Sequence, residues 1–196
     1  MQLVPGIEGL VRELVGAGKN IFLDYKYFDI GETVKEAVSR AADLGVAMLT
    51  VHGNATVTRA AAAAKGPRLK ILAVTLLTSL DLEDMKEIYG VERDTADFVC
   101  ARAESASRAG VDGVIASPRE AAAIRRRVPA DFLIVTPGVR PAGTGLDDHK
   151  RSGTPTDAIA DGADYLVVGR PITRASDPAD VARRVVAEMQ QAFDRR

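Results

Sequence analysis

Six short apolar runs alternate with amphipathic stretches along this chain, and that alternation limits its fold more than any other feature. The runs "NIFLDYK", "VAMLTVH", "LKILAVTLL", "DGVIAS", "DFLIVTPG" and "DYLVVG" have the length and composition of strands. Helices are predicted between them. "PGIEGLVRELVGAG" ends at Gly16 or Gly18, "ETVKEAVSRAADLG" stops at Gly45, and "ATVTRAAAAAKG" closes at Gly66. Residues 81–109 predict one short and one long helix, and "PREAAAIRRRV" predicts another. "TPTDAIADGA" offers Thr154 as a cap with Pro155 at the first helical position, and residues 177–194 form the last helix. One leading helix followed by strand-helix repeats implies an α/β protein with a parallel sheet and right-handed crossovers. The near-continuous apolar strands imply cover on both faces.

Two architectures satisfy this pattern, a (β/α) TIM-type barrel and an open doubly wound sheet. No G-x-G-x-x-G follows a strand, which weakens the dinucleotide-binding form of the open sheet. The polar residues favour the barrel. Asp24 and Lys26, His52, Thr78 and Ser79, Ser117, Arg140 and Arg170 each stand just past a strand's C-terminal end, where a barrel builds its active site. An open sheet would gather them at one switch point. No linker or low-complexity tract divides the 196 residues, so a single domain is expected. The one long Gly-rich, charged loop is "GVRPAGTGLDDHKRSG", residues 138–153, with the composition of a lid or a surface segment.

Several function classes are disfavoured. The formal net charge is -1, which gives no global attraction to nucleic acid or an anionic membrane. The absence of Trp and the 5% aromatic content argue against a stacking platform for single strands. A lone cysteine, Cys100, allows neither an intramolecular disulfide nor a cysteine-based zinc site, and it is expected in the core or half-buried on a helix. The apolar runs are too short to span a bilayer, and "MQLVPGIEGLVREL" lacks the pattern of a signal peptide. A cytoplasmic setting is the expectation.

The charges at the end of the first strand demand an explanation. In "FLDYKYFDIGET", Asp24 and Lys26 are two residues apart, so strand alternation points them to one side, and Asp29 opens the next element. They can form a structural ion pair, with Asp29 and Glu32 as a capping box. They can equally be a buried array that holds a proton donor beside negative charge. Arg170 in "VVGRPIT" ends the last strand, and Gly169 before it lets backbone approach a ligand. That position is a common phosphate site in barrels, and Arg offers a bidentate fork to an anion. A rim salt bridge is the alternative for Arg170. Arg140 in "TPGVRPAG" could complete a two-arginine grip. His52 reads as a structural histidine before a catalytic base, His149 is open to either role, and Arg125 to Arg127 read as a solvated helix face.

Together these motifs resemble a known family. "FLDYKYFDIGETV" is similar to the D-x-K-x-x-D-I signature of orotidine 5'-monophosphate decarboxylases of the bacterial type. "LAVTLLTS" resembles that family's pyrimidine-contacting strand, and "VTPGVRPAG" and "YLVVGRPITRASDP" resemble its last two strand-end motifs. The resemblance implies a cofactor-free, metal-free decarboxylation of orotidine 5'-monophosphate to uridine 5'-monophosphate, in pyrimidine nucleotide biosynthesis. It places Asp24 near the substrate carboxylate and makes Lys26 the group that stabilises and protonates the C6 carbanion. It implies a homodimer in which Asp29 and Thr33 reach the neighbouring subunit's site. It has Thr78 bond the pyrimidine, and Arg170, with Gly169 and Arg140, hold the phosphate.

Two departures from the family carry expectations of their own. The family's barrel has eight strands, and this chain supplies six, the third to the eighth. The first strand, first helix and second strand carry a ribose-binding aspartate and the first lysine of a Lys-Asp-Lys-Asp array, and they fall upstream of "MQLV". Met1 is then an internal methionine or the start of a truncated chain. An incomplete barrel is expected, its open edges covered by a partner or a rearranged helix. Turnover without that lysine is expected to be weak, and the alternative function is a catalytically inactive nucleotide- or phosphate-binding barrel remnant. The second departure is His149 in "DHKR", where the family has glutamine; histidine can donate to phosphate but cannot copy both amide contacts. A sugar-phosphate lyase of the same suprafamily would need a metal, and no convincing acidic ligand set stands in the sequence.

Overall fold

The computed structural model of the chain describes residues 5–90, 92–140 and 153–195. Its elements run α1 (Ile7–Gly16), β1 (Phe22–Tyr27), α2 (Gly31–Asp43), β2 (Met48–His52), α3 (Ala55–Ala64) and β3 (Lys70–Val74). Then come α4 (Leu82–Tyr89), α5 (Thr95–Arg108), β4 (Gly113–Ile115), α6 (Pro118–Arg125), β5 (Leu133–Pro137), α7 (Pro155–Ala160), β6 (Tyr165–Val167), α8 (Arg170–Thr173) and α9 (Pro178–Phe193). The fold class is the expected α/β, with six strands ordered β1-β2-β3-β4-β5-β6. Strands in chain order are what the (β/α) barrel reading requires. The one element the sequence did not announce is α8, a single turn in which Arg170 is the first residue, so Arg170 stands past the last strand and not at its end.

The chain forms two compact units. One runs to Thr75 and takes in Arg102–Val114; the other holds Leu76–Ala101 and the chain from Ile115 onward. In the first unit β1, β2 and β3 pair in parallel, and β2 and β3 keep register from Met48↔Lys70 to His52↔Val74. Helix α2 buries Val34, Val38 and Ala41, one face of a helical period. Asn54 caps α3 by accepting from the Val57 N–H at 2.9 Å. In the second unit β5 and β6 pair in parallel from Val135↔Tyr165 to Pro137↔Val167. Thr154 caps α7 with Pro155 at the first helical position, as the sequence predicts. Cys100 is buried on α5.

The expected two-sided cover holds for four of the strands. Leu49 to Val51, Ile71 to Val74, Gly113 to Ile115 and Ile134 to Thr136 are all buried. It does not hold for β1, where Leu23 alone is buried, or for β6, where no residue is. These are the first and last strands in the order, and an end strand lacks a neighbour on one side.

Among the described residues, each unit carries the same side-chain device. Asp112 precedes β4, and its carboxylate accepts from the Ile71 N–H at 2.8 Å while its own N–H donates to Ile71 O at 3.0 Å. Lys65, just past α3, donates to that carboxylate at 2.7 Å and to Gly110 O at 3.3 Å. Asp164, before β6, repeats the ring with Ile134 (2.8 Å each way), and Arg125 takes the cation's place. Arg125 donates to Asp164 at 2.6 Å, twice to Gly162 O, and to the carbonyls of Pro129, Ala130 and Phe132. Arg125 is therefore not on a solvated face, and that expectation is corrected. Gly110 and Gly162 have φ of 85° and 104°, a region that favours glycine, and each turns the chain so that the aspartate two residues on meets the neighbouring strand.

Candidate active site

The end of β1 does not follow regular strand geometry. Leu23 pairs with Leu49 and Tyr27 with Val51, so four residue steps on β1 run opposite two on β2. The excess is taken up as a bulge, and Lys26 has φ 52°, the one positive value among the described non-glycine residues. Asp24 and Lys26 do meet, with Lys26 Nζ 2.6 Å from Asp24 Oδ2, but through the bulge and not through simple alternation. Between them stands the Thr50 hydroxyl on β2. It accepts from the Lys26 N–H at 2.9 Å and donates to Asp24 Oδ1 at 2.8 Å.

The expectation of a buried array is corrected as well. The side chains of Lys26 and Asp24 are 35% and 48% exposed, because β1 is covered on one side only. Asp29 is exposed, and its carboxylate accepts from the Ile30 N–H at 2.7 Å instead of joining the pair. No capping box forms, since α2 starts at Gly31 with Ile30 as its cap residue and Glu32 pairs with Lys35 at 2.7 Å. Thr33 is exposed on the first turn of α2, close in sequence to exposed Phe28 and Ile30.

A lysine held in the left-handed region stores strain, and strain of that kind concentrates where function requires a particular side-chain direction. The strain can be read directly. Lys26→Gly is expected to resist urea better than Lys26→Ala, by about 1 kcal/mol, because glycine adopts positive φ without steric cost. Equal stability of the two variants would show that the backbone there is relaxed.

His52 ends β2 and packs against Phe28, with ring centroids 5.1 Å apart and the rings tilted by 53°. Burial first, then the positive charges of Arg102 and Lys26, hold its imidazole below the ordinary value of 6.5. An unfolded chain takes up this proton near pH 6.5 while the folded chain resists it. Stability should therefore fall as pH drops through 6.5 toward the lowered folded value, and stop falling below it. Urea titrations between pH 7.5 and about 5 check this; His52→Gln should flatten the slope, and an unchanged slope would assign it to other groups.

In the second unit, Thr78 is buried in the turn that follows β3. Ser117 serves as the cap of α6, accepting from the Arg119 N–H at 3.2 Å. Arg140 follows β5, and its N–H donates to Gly153 O at 3.0 Å beside a parallel bridge between Val139 and Gly153. These contacts close the stem of the long loop. A Cβ on Gly153 would lie 2.8 Å from the Pro118 Cβ, so the stem admits no larger residue without a shift. Gly169 is exposed, with nothing within 4 Å of where a Cβ would project, and Arg170 follows it half-buried. His149 lies outside the described residues. Among the described residues, no group of three or more His, Cys, Asp or Glu side chains could hold a metal ion. No helix there is long and apolar enough to cross a membrane.

Residues 4–185 match the family described as orotidine 5'-phosphate decarboxylase / HUMPS. The chain belongs to that family. A relative from Nitrobacter winogradskyi named orotidine 5'-phosphate decarboxylase is 50% identical over 194 residues, 98% of this chain and 80% of the relative. One of the same name from Ruegeria pomeroyi is 54% identical over 174 residues, 88% of this chain and 72% of the relative. Among solved structures, orotidine 5'-phosphate decarboxylase from Lactobacillus acidophilus superposes with a TM-score of 0.81 at 34% identity, covering 93% of this chain and 80% of that one. The enzyme of that name from Pyrococcus horikoshii gives 0.70 at 25% identity, covering 94% and 81%. Within the orotidine 5'-phosphate decarboxylase / HUMPS family the barrel reading of the fold stands. Thr50 is the site residue that sequence reading passed over. A lone hydroxyl inside the buried run "MLTVH" was the signal available for it.

Proposed function

We propose that this chain is a carboxy-lyase that decarboxylates orotidine 5'-monophosphate to uridine 5'-monophosphate, a reaction of pyrimidine nucleotide biosynthesis in the cytoplasm. The observation that carries this reading is the Lys26 ammonium held 2.6 Å from the Asp24 carboxylate on a bulged, strained strand end. In the reaction the bond from C6 to the carboxylate carbon breaks, CO2 leaves, and the electron pair stays on C6. Lys26 Nζ stabilises that charge and gives C6 a proton, and the amine is reprotonated from solvent. The step is redox-neutral and takes no electron acceptor.

The remaining roles are those that the family resemblance implies. Asp24 keeps the ammonium oriented and places negative charge beside the carboxylate that leaves. Thr78 bonds the pyrimidine. Arg170 holds the phosphate with Arg140 beside it, His149 adds a donor, and Gly169 leaves the backbone open to the ligand. Binding energy from the phosphate is used at the reacting carbon. Asp29 and Thr33, exposed beside Phe28 and Ile30, serve the site of a second copy across a homodimer interface. The test is to incubate the chain with orotidine 5'-monophosphate and follow its absorbance together with uridine 5'-monophosphate. Slow product formation is expected, since the array's first lysine falls upstream of Met1. Product bound without any being formed from substrate would replace this reading with that of an inactive nucleotide-binding barrel.

A further inference from the structure

We propose that Thr50 is a positioning residue that sets the geometry of the Asp24–Lys26 pair. The catalytic part of the claim rests on the decarboxylase reading above. Thr50 is fully buried, with 0% exposure, in the middle of β2. A threonine in a buried strand ordinarily fills volume. Here its hydroxyl faces the bulge and makes two bonds, both to β1. The Lys26 N–H can only donate and an ionised Asp24 can only accept, so the hydroxyl has a single workable orientation. It receives the amide and gives its own proton to Asp24 Oδ1, which leaves Oδ2 for Lys26 Nζ. The result is a closed ring of Lys26 amide, Thr50 hydroxyl, Asp24 carboxylate and Lys26 ammonium.

This ring answers an accounting question raised by the bulge. Slipped register takes the Lys26 amide out of the regular ladder, and a half-buried N–H needs an acceptor. The Thr50 hydroxyl replaces the missing ladder carbonyl. The same bond that satisfies the amide also orients the carboxylate, so backbone shape and side-chain direction are set by one oxygen. Valine at this position would keep the volume and the β-branched shape while losing both bonds. Serine would keep both bonds and lose a methyl group.

The experiment compares the parent chain, Thr50→Val, Thr50→Ser and Lys26→Ala, with thermal unfolding to confirm that each is folded. Amide hydrogen exchange at Lys26, read by 15N NMR, is expected to be at least about tenfold faster in Thr50→Val than in the parent, with Thr50→Ser near the parent. Turnover of orotidine 5'-monophosphate should drop about 10- to 100-fold in kcat for Thr50→Val with KM changed little, and Thr50→Ser should restore it. A Thr50→Val chain with parental exchange and parental kcat overturns the proposal. So does a Thr50→Ser chain that falls as far as Thr50→Val, since the hydroxyl is then not the agent. A parent that turns over no substrate defeats the decarboxylase reading by itself, and the exchange contrast alone then decides the positioning claim.

Discussion

Lys26→Ala is expected to lower kcat for orotidine 5'-monophosphate by about 10⁴-fold. Two separable effects are removed together. On the proposed mechanism, one is the proton given to C6 and the other is a positive charge fixed where negative charge develops. Lys26→Arg should not rescue the loss. A guanidinium keeps the charge but does not surrender a proton in proteins, and its planar fork cannot take the place of a compact ammonium 2.6 Å from Asp24. Affinity for uridine 5'-monophosphate should change only a few-fold, because product carries no charge at C6. Single-turnover kinetics with an equilibrium binding assay would separate the two quantities. Substantial turnover in Lys26→Ala would move the proton donor elsewhere.

Arg125→Ala should destabilise the chain by about 3 kcal/mol without touching the proposed chemistry. The Arg125 side chain is 17% exposed and that of Asp164 is 27% exposed, so solvent can compensate only part of the loss. Removing the guanidinium strips partners from the carbonyls of Gly162 and Phe132 and leaves the Asp164 carboxylate with the Ile134 amide alone. Lys65→Ala removes the equivalent cation from the other unit, where it makes fewer bonds, and should cost about 1–2 kcal/mol. Urea titrations monitored by circular dichroism would measure both. An Arg125→Ala variant within about 0.5 kcal/mol of the parent would mean that the carbonyls and carboxylate find water at no loss.

The strand-helix order was legible because it is written in residue period. Runs such as "ILAV" and "LIVT" leave few alternatives, and Thr154 before Pro155 states where a helix starts. What stayed hidden depended on contacts distant in sequence. "FLDYKYF" alternates as a flat strand would, no glycine marks the bulge, and the acceptor of the displaced amide, Thr50, stands 24 residues past Lys26. Arg125 opens a run of three arginines that resembles a solvated helix end, and its partner Asp164 stands 39 residues away. A signal for it was nevertheless present. "GVDG" and "GADY" place a glycine two residues before an aspartate at the start of a strand, and the recurrence pointed to a repeated structural duty. Asp29 and Glu32 had capping-box spacing, but Ile30 cannot cap by side chain, so the helix began later than the pattern suggested.

The closed stem at Val139, Arg140 and Gly153 has a consequence for how this protein can change over evolutionary time. Its two sides are fixed by a backbone bridge, by the Arg140–Gly153 bond and by the tight fit of Gly153 on Pro118. Whatever happens to residues 141–152 starts and ends at the same two points. For loops in general, each doubling of length between fixed ends costs only about 0.6 kcal/mol. Insertions and deletions between Arg140 and Gly153 therefore leave the bridge from Val139 to Gly153 as a fixed anchor. That seam is a natural place to graft a foreign loop while the pairing of Val139 with Gly153 is kept.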